Sequence, residues 1–526
     1  MDGRLSARPL RIAFNPLVER FEVLNAALRR SPDWVPDIAE VFDSPYKARK
    51  AFIERYEQAD GDAGPDEERL EAVFSRLHDL GKYEFTVIEI QPDVPRPTVA
   101  DVFVRINSEG VNLTQADFIL TWLSVFWDEG REQLERFSRH ARLTPDAVLE
   151  REGEAVSWTP KNHYITPEPG RMLRAVVALG QRRGRLRYAY NALRGRDPRT
   201  GEINEEQREQ ELALVKAAQA EALKPVNWDD FLRALGRAGF RSKRMITSNN
   251  TVIYTYALWL IGLTDFNVDR KTLRNLMARW FFMSQTTGRY TNSPETRIEE
   301  DLGRFKDADR RNPASFVATV ENVISTALTP DYWSIQLPDD FVTSSTSASP
   351  SYQAYLAALN ILDADLFAID EKVRDWMDPS AATQQGIEGH HLFPRAYLNG
   401  LGITETRRVN QVANYAPTDW GTNQLISDRP PHDYWPDLLA ARGFSEESLQ
   451  HQQFWHALPF GWENMEYGEF LECRRKEMAQ VVREGFARLS DHSYQPQVEG
   501  VTPAASDQET TESASLRVRH RISRGV

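Results

Sequence analysis

In LRIAFNPLVERFEV, Leu10 to Val23, apolar residues alternate with polar ones on both sides of Asn15-Pro16. A period of two around a turn pair predicts a strand, a turn and a second strand. Glu67 to Leu80 spaces its apolar residues as a helix does, and YEFTVIEI, Tyr83 to Ile90, reads as a strand that stops before Pro92 and Pro95. VFVRINSEGVNLTQADFIL, Val102 to Leu120, predicts helix, loop, helix. Thr114 caps the second of these helices, and Asp117, three residues on, favours the exposed amides of its first turn. From about Pro167 to Leu328 the pattern is dominated by helices, as in EEQREQELALVKAAQAEALK and RKTLRNLMARWFFMSQ.

The texture then changes. LPDDFVTSSTSASPS, Leu337 to Ser351, is rich in Ser, Thr and Pro and predicts an interdomain linker. A second such stretch, Pro496 to Ser515, predicts disorder before the basic end RVRHRISRGV. Between them lies a compact unit in which breakers suggest a strand ending near His391, a second strand over Gln411 to Ala416, and a short helix from Thr418 or Thr422 that stops before Pro430-Pro431. The expected fold class is α+β, helix-rich and multidomain. Its expected parts are a first domain over 1–150, a helical middle over 151–336, the linker 337–351, the strand, strand, helix unit over 352–492 and a tail over 493–526.

Composition narrows the function classes. The chain has 526 residues, 41% hydrophobic and 27% charged, a mix typical of soluble globular domains and too long for one ordinary core. The longest apolar run, Ile253 to Leu263, is too short to span a membrane and predicts a buried helix. MDGRLSARPL lacks the apolar segment of a signal peptide, so a cytoplasmic location is expected. The single cysteine, Cys473, excludes intrachain disulfides and cysteine-rich zinc sites, so any metal is held by nitrogen and oxygen.

The net charge of −13 hides one reversal: nine arginines between Arg171 and Arg199 face only Asp197. Arg182, Arg183, Arg185 and Arg187, with Tyr188 and Tyr190 between and beside them, make a candidate nucleic-acid contact. The same residues serve equally well as a solvated helix face.

IEGHHLFPRAYL, Ile387 to Leu398, holds two of the ten histidines side by side, followed by Pro394. Asn414 and, nine positions later, Asn423 fall on the second strand and the helix. In that order His390, His391, Pro394, Asn414 and Asn423 resemble the motif of the HNH, or ββα-metal, nucleases. The resemblance implies that His390 and Asn423 hold a divalent metal, Mg²⁺ or Mn²⁺ foremost, with Ni²⁺ or Zn²⁺ also suited to an imidazole ligand. It implies that His391 is the general base and that Asn414 orients it. Glu388 is a further candidate for the outer shell or a second metal. His390 replaces the commoner Asp, and no lysine follows Asn423 as it does in many members.

A second resemblance covers much of the remainder. Phe103, Arg105, Ile106, Asn107, Gly110, Leu113 and Asp117 match a pattern in the N-terminal domain of GmrSD-type, modification-dependent restriction endonucleases. That domain is ParB/sulfiredoxin-like, and a C-terminal HNH unit is its usual partner. The resemblance implies a loop at Arg105, Asn107 and Asp117 that faces nucleotide or DNA. The Asp-Gly-Gln-Gln-Arg motif of nucleotide hydrolysis is missing, so the chain is expected to begin inside that domain or to work with a separate N-terminal NTPase portion. The implied function is restriction of foreign, base-modified DNA by metal-dependent cleavage. The alternatives are a nucleotide-responsive DNA-binding or regulatory protein with an inactive site, and a fragment that needs its other half. Homo-oligomers remain open.

Overall fold

The hydrogen bonds of β1 (Ile12–Asn15) and β2 (Arg20–Val23) close the antiparallel hairpin that the alternation around Asn15-Pro16 predicts. Asn15 holds its turn by accepting from the amides of Leu17 and Val18. In this computed structural model the described residues are 11–60, 66–84, 114–196, 202–344, 349–377, 388–491, 493 and 494, with isolated positions between 89 and 102. The chain divides into two units after Val94.

In the first unit, Phe74 of α2 (Glu67–Asp79) packs against Phe14 of β1 and Phe52 of α1 (Pro45–Asp60). Val35, Val41 and Leu70 complete this small core. Asp66 caps α2 by accepting from the Arg69 amide. The strand expected over Tyr83 to Ile90 falls mostly outside the described residues; Tyr83 and Glu84 have no regular structure.

The second unit is helix-rich, and one apolar core runs through it from Ala116 to Leu489. Its first long helix, α3 (Gln115–Phe126), buries Ile119, Trp122 and Leu123 against α4 (Pro169–Gly180) and α5 (Leu186–Leu193). The boundary expected at residue 150 therefore falls at 94, because the apolar face of α3 belongs to a core built by residues beyond 151. In α6 (Asn249–Thr264) every residue from Thr251 to Gly262 is buried, which accounts for its apolar run. Among the described residues no helix is long and apolar enough to cross a membrane. After it come α7 (Arg270–Thr286) and α8 (Pro294–Gly303).

Several described residues of the expected linker are packed instead. Leu337 and Phe341 are fully buried, and Thr343 accepts from the amide of Val412 at 2.8 Å. Two hydroxyls of this stretch have local partners: Ser351 donates to the Asp340 carbonyl, and Ser349 caps α9 (Pro350–Ile361). Ser and Thr can be buried when the backbone satisfies them, and composition does not report that. The helical middle and the C-terminal segment consequently share one core.

That C-terminal segment contains β3 (Glu388–His391), β4 (Tyr415–Thr418), α10 (Trp420–Ile426), α11 (Pro431–Arg442), α12 (Glu446–Trp455) and α13 (Tyr467–Ser490). At Gly485 of α13 an added Cβ would meet the Ala358 Cβ of α9 at 2.7 Å, so the two helices approach at a distance that needs glycine. Arg474 on α13 is fully buried. It donates to the carbonyls of His456 (3.1 Å), Ala413 (2.5 Å) and Tyr415 (2.8 Å).

Arg474→Met keeps most of the stem but leaves three buried carbonyls without a donor, at about 1–3 kcal/mol each before relaxation. Urea unfolding of this variant is expected to show a loss of about 3 kcal/mol or more; a loss below about 1 kcal/mol would refute a structural role for the three Arg474 hydrogen bonds. His456, beside Arg474, supplies a pH test. Burial, reinforced by the Arg474 charge, pushes its imidazole down to about 3. The ordinary value of about 6.5 applies in the unfolded chain, so the unfolded state binds the proton preferentially. The His456 contribution is thus complete above about pH 6.5 and is lost as the pH falls toward its folded value. Between about pH 6.5 and 5 the urea midpoint should decline less steeply in His456→Gln than in the parent protein. Parallel slopes would exclude His456 as a source of that decline.

Candidate active site

β3 and β4 pair antiparallel, with His390 opposite Ala416 and His391 opposite Tyr415. Successive side chains of a strand point to opposite faces, so two adjacent histidines cannot share one environment. His390 turns inward and is 3% exposed. Its ring lies parallel to Phe367 and edge-on to Tyr434. His391 turns to the other face, half-buried, its centroid 4.4 Å from that of Tyr415.

The helix that follows β4 starts at a cap. Asp419 accepts from the amides of Gly421 and Thr422, fixing the first turn of α10 beside β3. Asn423 in that turn brings its Oδ1 to 2.7 Å from His390 Nδ1. Burial is the main cause that pushes the His390 imidazole down to about 4, with the neighbouring His391 charge adding to it and the Asn423 contact opposing. At neutral pH the ring is therefore uncharged and keeps a lone pair. Its Nε2 is buried without a hydrogen-bond partner.

A neutral imidazole nitrogen and an amide oxygen fit a divalent cation. Two ligands at right angles, each about 2.1 Å from Mg²⁺, stand about 3 Å apart. The two atoms would need to open by a few tenths of an ångström, with the ring proton moved from Nδ1 to Nε2. Of Glu388, the other candidate, only the backbone is described, paired with Thr418.

Asn414 has a different task from the one expected. The residues 412–414 form a 3-10 turn, and the strand begins at Tyr415 rather than at Gln411. The Asn414 side chain is fully buried, accepts from the Phe393 amide at 2.9 Å, and donates to the carbonyls of Phe393 and Val409 at 3.0 Å. Its backbone carbonyl takes the Leu392 amide at 2.8 Å. Asn414 thus fastens the chain leaving β3 to the chain entering β4 and makes no hydrogen bond to the His391 ring. The partner of that ring is Asn410, whose Oδ1 is 3.0 Å from His391 Nε2. Burial pushes the His391 imidazole down, with Arg395 adding and Asn410 opposing. Tyr434 Oη donates to the Leu392 carbonyl at 2.7 Å, and Arg442 donates to Thr422 Oγ1, bracing β3 and α10 from α11.

Sequence reasoning places His390 and His391 on the first strand and Asn423 on the following helix, as the structure does, and does not mark Asn410, Asp419 or Tyr434. Asp419 was legible, as an acidic residue just ahead of a short helix. Asn410 and Tyr434 are joined to the site by folding, and nothing local marks them.

Of the other expected site residues, Arg105 and Asn107 fall outside the described residues. Asp117 completes a capping box, accepting from the amide and hydroxyl of Thr114. The arginine cluster is largely committed to neighbours: Arg182 pairs with Asp265 and the Leu179 carbonyl, Arg183 with Glu299, and Arg185 with Thr296 of α8. Arg187 is exposed, and Tyr188 is exposed beside Arg185. The guanidinium of Arg182, expected to contact nucleic acid, is thus engaged by Asp265 and the Leu179 carbonyl. A separate group, His140, Glu152 and Glu154, offers three ligand atoms within 4.8 Å of one another, with Arg139 already paired to Glu152.

No family model matches the chain. An uncharacterized protein of Methanocaldococcus jannaschii is 25% identical over 174 residues, which is 32% of this chain and 27% of that protein. The match thus spans about a quarter of that relative.

The division of labour is measurable. Asn414→Ala removes three buried hydrogen bonds, so urea unfolding should report a loss of about 2 kcal/mol or more, whereas His391→Ala should stay within about 1 kcal/mol. Equal losses in the two variants would contradict the assignment of Asn414 to the scaffold.

Proposed function

We propose that the second unit is a metal-dependent phosphodiester hydrolase of the ββα type that cuts DNA. The observation that carries this reading is the direct contact between His390 of β3 and Asn423 in the first turn of α10, with His391 next along the same strand. His390 and Asn423 would hold the divalent cation, Mg²⁺ or Mn²⁺. When bound, that cation neutralises charge on the phosphate and the leaving oxygen. His391, half-buried on the opposite face and depressed below its ordinary value, is uncharged at neutral pH and takes a proton from the attacking water. Asn414 and Tyr434 hold the strand end so that these side chains keep their places. The resemblance of the segment around Phe103 to Leu113 to modification-dependent restriction enzymes favours foreign, base-modified DNA as substrate, in restriction or phage defence.

The test uses the full chain with plain and modified phage DNA, in Mg²⁺, Mn²⁺ or EDTA. Cleavage should require metal, fall by about 10²-fold or more in His391→Ala, and fall similarly in Asn423→Ala. Equal cleavage by all three proteins would sink the site. Binding of DNA without cleavage under every metal would favour the regulatory reading instead.

A further inference from the structure

We propose that Asn410 is the positioning residue for His391: its amide oxygen holds the imidazole with the proton on Nε2 and leaves Nδ1 as the atom that accepts a proton from water. The proposal rests on the hydrolase reading above and deepens it to a single atom. Asn423 and Asn414 are spent elsewhere, on His390 and on the backbone of Phe393 and Val409. Asn410 Oδ1 is 3.0 Å from His391 Nε2. An amide oxygen carries no proton, so the bond exists only when Nε2 donates. A neutral ring has one N–H, and its other nitrogen, Nδ1, then bears the lone pair.

The placement of Asn410 is built rather than incidental. It follows the short helix Thr406–Val409 and closes it by donating its amide to the Thr406 carbonyl at 2.9 Å. That helix end is pinned from two sides. Tyr467 Oη of α13 donates to the Arg408 carbonyl at 2.7 Å, and Asn414 Nδ2 donates to the Val409 carbonyl at 3.0 Å. The ring of Tyr415, 4.4 Å from that of His391 and tilted by 44°, limits rotation of the imidazole from the remaining side. Asn414 therefore acts on the base through Asn410, by fixing the backbone that presents it.

In the step this serves, the water oxygen bonds to phosphorus while its proton passes to Nδ1. The bond from phosphorus to the leaving oxygen breaks with its electron pair on that oxygen, which solvent protonates. His391 then returns its proton to solvent.

Two measurements test the assignment. In metal-free protein with ¹⁵N-labelled histidine, the His391 ring nitrogens, assigned by their loss in His391→Gln, should report the Nε2–H tautomer in the parent and in Asn410→Asp, and a mixture in Asn410→Ala. In DNA cleavage, kcat of Asn410→Ala should fall about 10- to 100-fold with KM little changed, the range seen when an orienting partner is lost. Asn410→Asp, which keeps an acceptor, should recover most of it. An unchanged tautomer and an unchanged kcat in Asn410→Ala would overturn the proposal. So would a parent-like tautomer with a kcat loss that Asn410→Asp fails to restore, because that pattern is structural. If the parent cuts no DNA with any metal, the hydrolase reading fails and takes the catalytic role of Asn410 with it, while the tautomer still reports whether Asn410 sets the ring.

Discussion

A buried cation with no acidic partner among its hydrogen bonds holds the C-terminal segment together. Arg474 spreads its charge over the carbonyls of His456, Ala413 and Tyr415, which belong to two separate stretches of chain. A guanidinium suits this task because its donors are fixed in a plane and reach several acceptors at once. The cost of burying the charge is offset only while all three carbonyls stay in place, so the geometry is cooperative. Two of them flank Asn414, and through it the end of β3 is set.

The site inherits its order from that arrangement. Asn414 lies between Ala413 and Tyr415, where Arg474 has already fixed the backbone on either side, so its amide meets Phe393 and Val409 in one defined geometry. β3 cannot shift by one residue relative to β4 without exchanging the faces of His390 and His391. Such a slip would place the His391 ring in the core and the His390 ring outside. The four-residue pairing is too short to prevent it alone, and the bonds from Asn414, Tyr434 and Arg474 supply the specification.

Local patterns made much of this legible. The hairpin around Asn15-Pro16, the helix from Glu67, the buried run in α6 and the strand, strand, helix order near His390 all follow from periodicity and breakers. What could not be read is pairing across distance. Nine arginines in one stretch look like a polyanion site until Asp265 and Glu299, about a hundred residues away, fold against Arg182 and Arg183. A Ser/Thr-rich stretch looks solvated until the backbone satisfies Ser349 and Ser351. Asn414 and Asn410 are both short amides near the second strand, and only the turn before Tyr415 decides which one faces the imidazole.

The contact between His390 and Asn423 also bears on how the site would respond to a cation. With Nδ1 protonated the pair is a hydrogen bond of 2.7 Å. Ligation needs that lone pair free, so the proton must move to Nε2, which is buried and has no acceptor. The tautomer that binds metal thus gives up one hydrogen bond and leaves a buried N–H unpaired, at about 1–3 kcal/mol. Without a carboxylate at the first position to add charge, affinity is lowered twice: by the neutral donor set and by the tautomer cost. On the hydrolase proposal, occupancy would then lean on a further negative charge brought into the site, such as the phosphate of the substrate. Cation and DNA would on that proposal bind cooperatively, each weakly alone, which would couple assembly of the site to the presence of its target.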